Sequence, residues 1–585
     1  MDPSLDGHGA ALSKLIVMKS LSNPRNLLWL LPLGFLALFY FYPLGSILAL
    51  SFSRTDAGLL QALGEALSSA ALRGVVWFTF WQAALSTLLT LLIGLPGAYL
   101  LARFTFRGKA FLRVLSGIPF VLPTLVVAAA FHALLGPRGW LNLGLMDWFQ
   151  LESPPIQFVN SLTAILVAHV FYNTTIVLRM VGDFWARLDP RVEQAARTMG
   201  ANSWQSFRRV TLPLLMPAIA AAALLVFIFN FSSFGVILVL GGPQFATLEV
   251  EIYYQTVGLF NLPIAAVLAI IQLGSTLALS LIYTRLSRRI SRPVTLRSAR
   301  VSRMPLSSGS MRWWAAGFLA MLALFFAAPL GGLAARSVSR LDVERRQRGE
   351  VDRGLTLDYY RALSEDSRDN LFFAEPNEAI RTSLLYAGAT VGLALAVGLP
   401  AALALSQREE SALSKWLDPL LMLPLGTSAV TLGLGFIVAL DSPPLDLRAS
   451  PMLVPLAHTL VALPFVVRSL TPALRSIQPQ LRQSAALLGA SPAKVLRYVD
   501  APLVGRALIV SAIFAFTISL GEFGATALIA RPEFPTIPVM IFRLLGQPGA
   551  LNYGQAMALS TILMLVTAGG MLLTERLRFA EVGEF

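Results

Sequence analysis

The chain has 585 residues, 56% of them apolar and only 13% charged, with a formal net charge of +14. So little charge spread over a soluble surface would leave large apolar patches in water, so the composition points to a lipid-facing protein. The absence of cysteine excludes disulfides, a thiolate metal site and a cysteine nucleophile.

A helix needs about 20 mostly apolar residues to cross the hydrocarbon core. In chain order, the runs that qualify are 28–52, 75–101, 112–135, 159–181, 212–240, 262–284, 313–335, 380–405, 416–440, 452–470, 503–530 and 552–574. The fold class expected is all-α, a polytopic membrane protein of about twelve spans. The first run follows Lys14, Lys19 and Arg25 but is too long for the apolar region of a cleaved signal.

Charge orients the spans. With the N-terminus inside, the cytoplasmic segments of the first six spans hold 21 Lys and Arg, against Arg54, Arg73 and Arg138 outside. This positive-inside pattern predicts cytoplasmic N- and C-termini. It puts the loop 241–261, with Glu249 and Glu251, on the outside. The Arg-rich stretch 285–303 reads as a solvated linker facing anionic lipid rather than as a nucleic-acid site. The loop 336–379 belongs outside, either as a docking element for a binding protein or as a solvated insertion. Trp140 and Trp148 are expected to anchor at the outer interface.

The second half repeats the first. An offset of 289 pairs Ala168-His169 with Ala457-His458, Arg179 with Arg468, Pro190 with Pro479 and Gly200 with Gly489. It also pairs Phe234-Gly235 with Phe523-Gly524. From 190 to 253 there are 19 identities in 64 ungapped pairs. The chain therefore divides into a first membrane-spanning half, 1–285, a basic linker, 286–311, and a second half, 312–585. The two are parallel six-helix repeats about an axis along the membrane normal.

The repeated cytoplasmic loop has a local plan. Asp189 can cap a helix that Pro190 opens. Val192, Ala195, Ala196 and Met199 then form one apolar stripe. Gly200 stops the helix, and Asn202 starts another over Ser203 to Val210. In the second copy Leu481, Ser484, Ala485 and Leu488 form the stripe, Gly489 stops it, and Ser491-Pro492 restarts. An amphipathic helix lying on the membrane suits one copy, but two copies at matched positions suit a two-lobed partner better.

Other chemistry is sparse. The symmetry mates His169 and His458 allow a metal or proton role or a hydrogen bond between helices. Glu522, in the eleventh span opposite Ser233, could attract a cation or close a hydrogen-bond network. Asn230 and Ser232 lie near Ser233. None of the five lysines sits in Gly-x4-Gly-Lys-Ser/Thr, so no P-loop is present. No catalytic constellation and no metal set is recognised.

The segment Gln194-Ala195-Ala196-x3-Gly200-x9-Val210-x-Leu212-Pro213 resembles the EAA loop of the permease subunits of binding-protein-dependent ABC importers. Gln483-Ser484-Ala485-x3-Gly489-x9-Val499-x-Ala501-Pro502 resembles it less closely. Both carry Gln where the family usually has Glu. The resemblance implies that these loops are coupling helices docking on two copies of an ABC ATPase, with Gln194, Ala195, Ala196, Gly200, Gln483, Ser484, Ala485 and Gly489 at the contact. It further implies an external solute-binding protein, ATP used only by the partner, no cofactor of the chain's own, and a bacterial inner membrane. The fused two-half form is similar to thiamine and ferric-iron permeases. The stretch Leu240-Gly241-Gly242-Pro243-Gln244-x2-Thr247-x-Glu249-x2-Ile252-Tyr253 is nearer the thiamine type, with Asn230, Ser233 and Glu522 as candidates along the solute pathway. An ion-coupled secondary transporter is the alternative class, and it has no need of paired EAA-like loops.

Overall fold

The computed structural model describes residues 26–582 apart from 53–63, 65–67, 291–303, 306–309, 341–353, 365–374, 407–411, 442 and 444. The basic N-terminal segment, most of the linker and much of the loop 336–379 lie outside the described residues. Among those described, eleven helices are long and apolar enough to cross a membrane, or twelve when a bent pair is counted as one span. Helices dominate because lipid offers backbone amides no partner, so each segment must bond within itself. The one short parallel ladder among the described residues pairs Phe104–Thr105 with Met304–Pro305, fixing a piece of the linker to the loop after Ala70–Arg103.

Glycine sets how closely spans pack. The helix Ala70–Arg103 crosses Leu162–Arg187 where a Cβ on Gly94 would meet Val177 at 2.7 Å. In the second half, Pro376–Ser406 crosses Leu453–Ser476 in the same way, Gly398 against Val466 at 2.7 Å. Small residues let two helix backbones approach, which is how membrane helices gain contact energy in lipid.

Four of the expected spans are not continuous. The run 212–240 is a helix Leu212–Phe231, a break at Ser232 to Phe234, and a short helix Gly235–Leu240. Its mate 503–530 is Ala501–Gly521, a break, and Thr526–Ile529. The run 112–135 divides into Lys109–Leu115, Ile118–Val121 and Thr124–Leu135. In the second half, Leu417–Gly426 and Ala429–Ala439 meet at 97°. Hydropathy runs through these breaks, so composition alone does not reveal them. The second short loop helix also ends differently from expectation: Ser203–Ser206 passes through a π turn, Phe207–Thr211, straight into Leu212–Phe231.

The halves exchange their first spans. Tyr42–Phe52 packs on Ala429–Ala439 of the second half, and Ser310–Ser337 packs on Thr124–Leu135 of the first. The Tyr40 hydroxyl lies 2.6 Å from Thr427 Oγ1 across this interface. The symmetry mates Phe234 and Phe523 stack on each other at 5.4 Å and 21°, which puts the pseudo-twofold axis between their rings.

Candidate functional site

The two repeated loops fold as their sequences direct. Asp189 caps Pro190–Thr198 by accepting from Arg191 N at 3.0 Å, and Asn202 and Gln205 form a reciprocal capping box. In the second loop Ser491 caps the restart after Pro479–Leu487. Gly200 and Gly489 have φ of +90° and +81°. Each helix closes on its glycine through paired bonds, Ala201 N to Ala196 O and Ala490 N to Ala485 O, both at 3.1 and 3.0 Å respectively. A left-handed residue at that point favours glycine because a side chain there is strained.

The apolar stripe is only partly buried. Ala196 is tucked in, while Val192, Met199, Leu481, Leu487 and Leu488 are exposed, the last at 88%. Gln194, Ala195, Gln483 and Ser484 are also exposed. Large apolar side chains held out on two matched short helices make a surface suited to a partner.

Each loop helix is tied to the membrane scaffold by an ion pair, and the two ties run in opposite sense. In the first half Glu193 on the loop meets Arg103, at the end of Ala70–Arg103, at 2.6 Å. In the second, Arg482 on the loop meets Asp500 at 2.8 Å. Glu193 and Arg482 are symmetry mates, so the charge has changed sign while the tie has been kept. Behind the first helix lies a cavity of 570 Å³ lined by Tyr99, Arg103, Trp185, Glu193 and Phe207. A cavity of 640 Å³ lies behind the second, beside Arg482 and Asp500. Sequence patterning gave no sign of these ties, because Arg103 and Glu193 lie 90 positions apart.

The polar groups within the spans form two matched networks. His169 is within hydrogen-bond reach of Ser86 and of Ser233, both at 3.0 Å. Asn173 donates to Asn230 Oδ1 at 2.6 Å, and Gln82 donates to the Asn230 carbonyl at 3.0 Å. In the second half His458 reaches Ser519 at 2.7 Å and Thr526 at 2.8 Å, with Glu522 Oε2 at 3.2 Å. Glu522 accepts from the backbone N–H of Ala525 and Thr526 at 2.8 and 3.0 Å, and from the Thr526 hydroxyl at 2.5 Å. Its carboxylate thus caps the short helix after the break. The structure brings Asn230, Ser233 and Glu522 to the two breaks, each already engaged by a protein partner.

The segment after the first break differs from the exposed outer loop expected. Leu248–Tyr253 is a folded-back helix, and Glu249 on it is 2% exposed. Glu249 accepts from Gln272 Nε2 at 3.0 Å and has Ser428 of the second half as a further hydrogen-bonding neighbour. Leu248 N donates to Thr79 Oγ1 at 3.0 Å, matched by Ile537 N to Ser383 Oγ at 2.8 Å. The burial of Glu249 was hidden because an acidic residue between spans reads as solvent-facing.

Residues 91–292 match the family described as binding-protein-dependent transport system inner membrane component. That range contains the first loop, both sides of the first break and the folded-back helix. Over the longer chain, the thiamine transport system permease protein ThiP of Brucella abortus (strain 2308) is 28% identical across 547 residues, 91% of this chain and 95% of that protein. ThiP of Escherichia coli (strain K12) is 29% identical, covering 82% and 85%. A chain of a solved bacterial transporter for alginate import aligns at 18% identity and a TM-score of 0.38, covering 48% of this chain and 99% of that one. The part of this range from Ala168 to Tyr253 has its repeat in the second half at the 289-residue offset.

Proposed function

We propose that the chain is the membrane permease subunit of an ABC importer, and that the solute it carries is thiamine. The observation that supports this most directly is the pair of helix–glycine–helix loops, exposed and apolar, inside a chain whose ThiP relatives align along nearly their whole length. The chain is not an enzyme, and it is a multi-pass protein of the bacterial inner membrane. Two ABC ATPase copies dock on the loops, through Gln194, Ala195, Ala196 and Gly200 and through Gln483, Ser484, Ala485 and Gly489. An external binding protein delivers the solute. ATP is hydrolysed on the ATPases, both termini are cytoplasmic, and closure of the ATPase pair moves the loops and rocks the halves in alternating access.

The test is ATP-dependent uptake by the complex reconstituted with its own binding protein, comparing thiamine with ferric iron, sulfate, molybdate and a sugar. Thiamine uptake is expected. Uptake of one of the others in its place rejects the solute and leaves the importer class standing.

A further inference from the structure

The duplicated scaffold keeps its backbone ties at the folded-back helices but not its charge. Leu248 N and Ile537 N make matched bonds to Thr79 and Ser383, yet Glu249 has Pro538 as its symmetry mate. Glu249 is a buried carboxyl group at the meeting of the two halves, between Gln272 and Ser428. The Gln272 carbonyl oxygen beside it is buried and without a hydrogen-bond partner. Acceptors are therefore in surplus here whenever Glu249 is ionised, and burial favours its neutral form until a cation arrives beside it.

One turn along the same helix, on the same face, is Tyr253. Its ring lies 5.5 Å from Phe234, which stacks on Phe523 at 5.4 Å, which in turn lies 5.6 Å from Phe542. The four rings are two symmetry-mated pairs, Phe234 with Phe523 and Tyr253 with Phe542. Gly235 permits the central approach, since a Cβ there would stand 3.2 Å from the Phe523 ring. Arg543, next to Phe542 in the chain, is within electrostatic range of Tyr253, so a cation at these rings needs Glu249 as its counter-charge.

We propose that Glu249 and the Tyr253–Phe234–Phe523–Phe542 quartet form a subsite for a planar aromatic cation in the translocation path. The proposal rests on the thiamine reading and names the residues that make it chemically selective. Parting Phe234 from Phe523 to about 7 Å lets a flat ring stack between them. Ring faces favour a cationic ring over a neutral one, and the Glu249 carboxyl, neutral while buried alone, ionises to supply the opposite charge when the cation arrives. Glu522, by contrast, is spent on capping the short helix and on His458.

The experiment uses the full reconstituted complex with its binding protein, and two probes: thiamine and a neutral isostere with thiophene in place of the thiazolium ring. Glu249→Gln is expected to lower thiamine uptake by about tenfold, the scale of one lost charge contact. It should also reduce the preference for thiamine over the isostere, with binding-protein-stimulated ATP hydrolysis retained. Tyr253→Leu and Phe542→Leu should each lower uptake of both probes by about threefold, the scale of a lost ring contact. Because the binding protein is common to all samples, a change in probe preference reports the permease. Thiamine uptake and preference unchanged in Glu249→Gln overturn the subsite and leave the thiamine reading intact. If Glu249→Gln does not reach the membrane, unchanged uptake in both ring variants overturns it instead. A wild-type complex that carries an oxyanion or a sugar and not thiamine rejects the reading and the subsite together.

Discussion

At the scale of single residues, the two positive-φ glycines carry the sharpest consequence. Valine at such a φ costs about 1–2 kcal/mol, and nothing stands within 4 Å of a Cβ built at Gly200 or Gly489, so the strain is backbone strain alone. The double variant Gly200→Val, Gly489→Val is predicted to reach the membrane normally and to lose most thiamine uptake per ATP hydrolysed. Full coupling in that variant would count against the loops as coupling elements. Glu522→Gln makes a different prediction. It weakens two backbone hydrogen bonds at the start of Thr526–Ile529 and leaves His458 with an amide. A loss of about 1–3 kcal/mol follows, read as a lower melting temperature in detergent with the probe preference unchanged. The glycines and caps were legible in the sequence because capping is local chemistry. Glu249 was not, because its burial depends on a helix that turns back toward Gln272, 23 positions away.

At the scale of elements, the reversed ion pairs mean that the two loop helices are held alike by unlike chemistry. Breaking one tie costs between about 1 kcal/mol, as for an exposed pair, and about 3 kcal/mol, as for a buried one. Glu193→Arg is predicted to reduce coupled uptake severalfold, and adding Arg103→Glu should restore most of it. In the second half the swap partners are Arg482→Asp and Asp500→Arg. If the double swaps recover nothing, the ties do not position the loops. The expected helix count came close because hydropathy and length are robust over 20 residues. The breaks at Ser232 to Phe234 and after Gly521 escaped notice because the flanking residues stay apolar and short helices resume at once. The polar residues singled out nearby, Ser233 and Glu522, turn out to mark those breaks.

At the scale of the whole molecule, the repeat predicts that the halves are separable in sequence and inseparable in space. Each lends its first span to the other. Residues 1–285 and 312–585, expressed from two genes in one cell, are predicted to purify together. Either alone should be degraded, because an exchanged span leaves a groove open to lipid. Stable accumulation of a lone half would contradict the exchanged packing. Orientation is tested separately in this cysteine-free chain. A cysteine placed at Lys494 should resist impermeant labels in sealed cells and react after lysis. The duplication itself was legible because the offset holds through a loop and a span. The exchange was not, since internal similarity says which segments correspond and is silent on which copy each one touches.

The exchange also sets a timetable for synthesis. The Tyr40 hydroxyl finds its partner at Thr427, 387 positions later. At roughly 5–20 residues per second, the first span leaves the ribosome some 20–80 s before its partner exists. During that interval it must rest in lipid on its own merits, which its uncharged, strongly apolar run Leu30–Ser51 allows. A ribosome paused in the second half would therefore leave an orphan helix with a bare tyrosine hydroxyl, an exposed mark that membrane quality control can read.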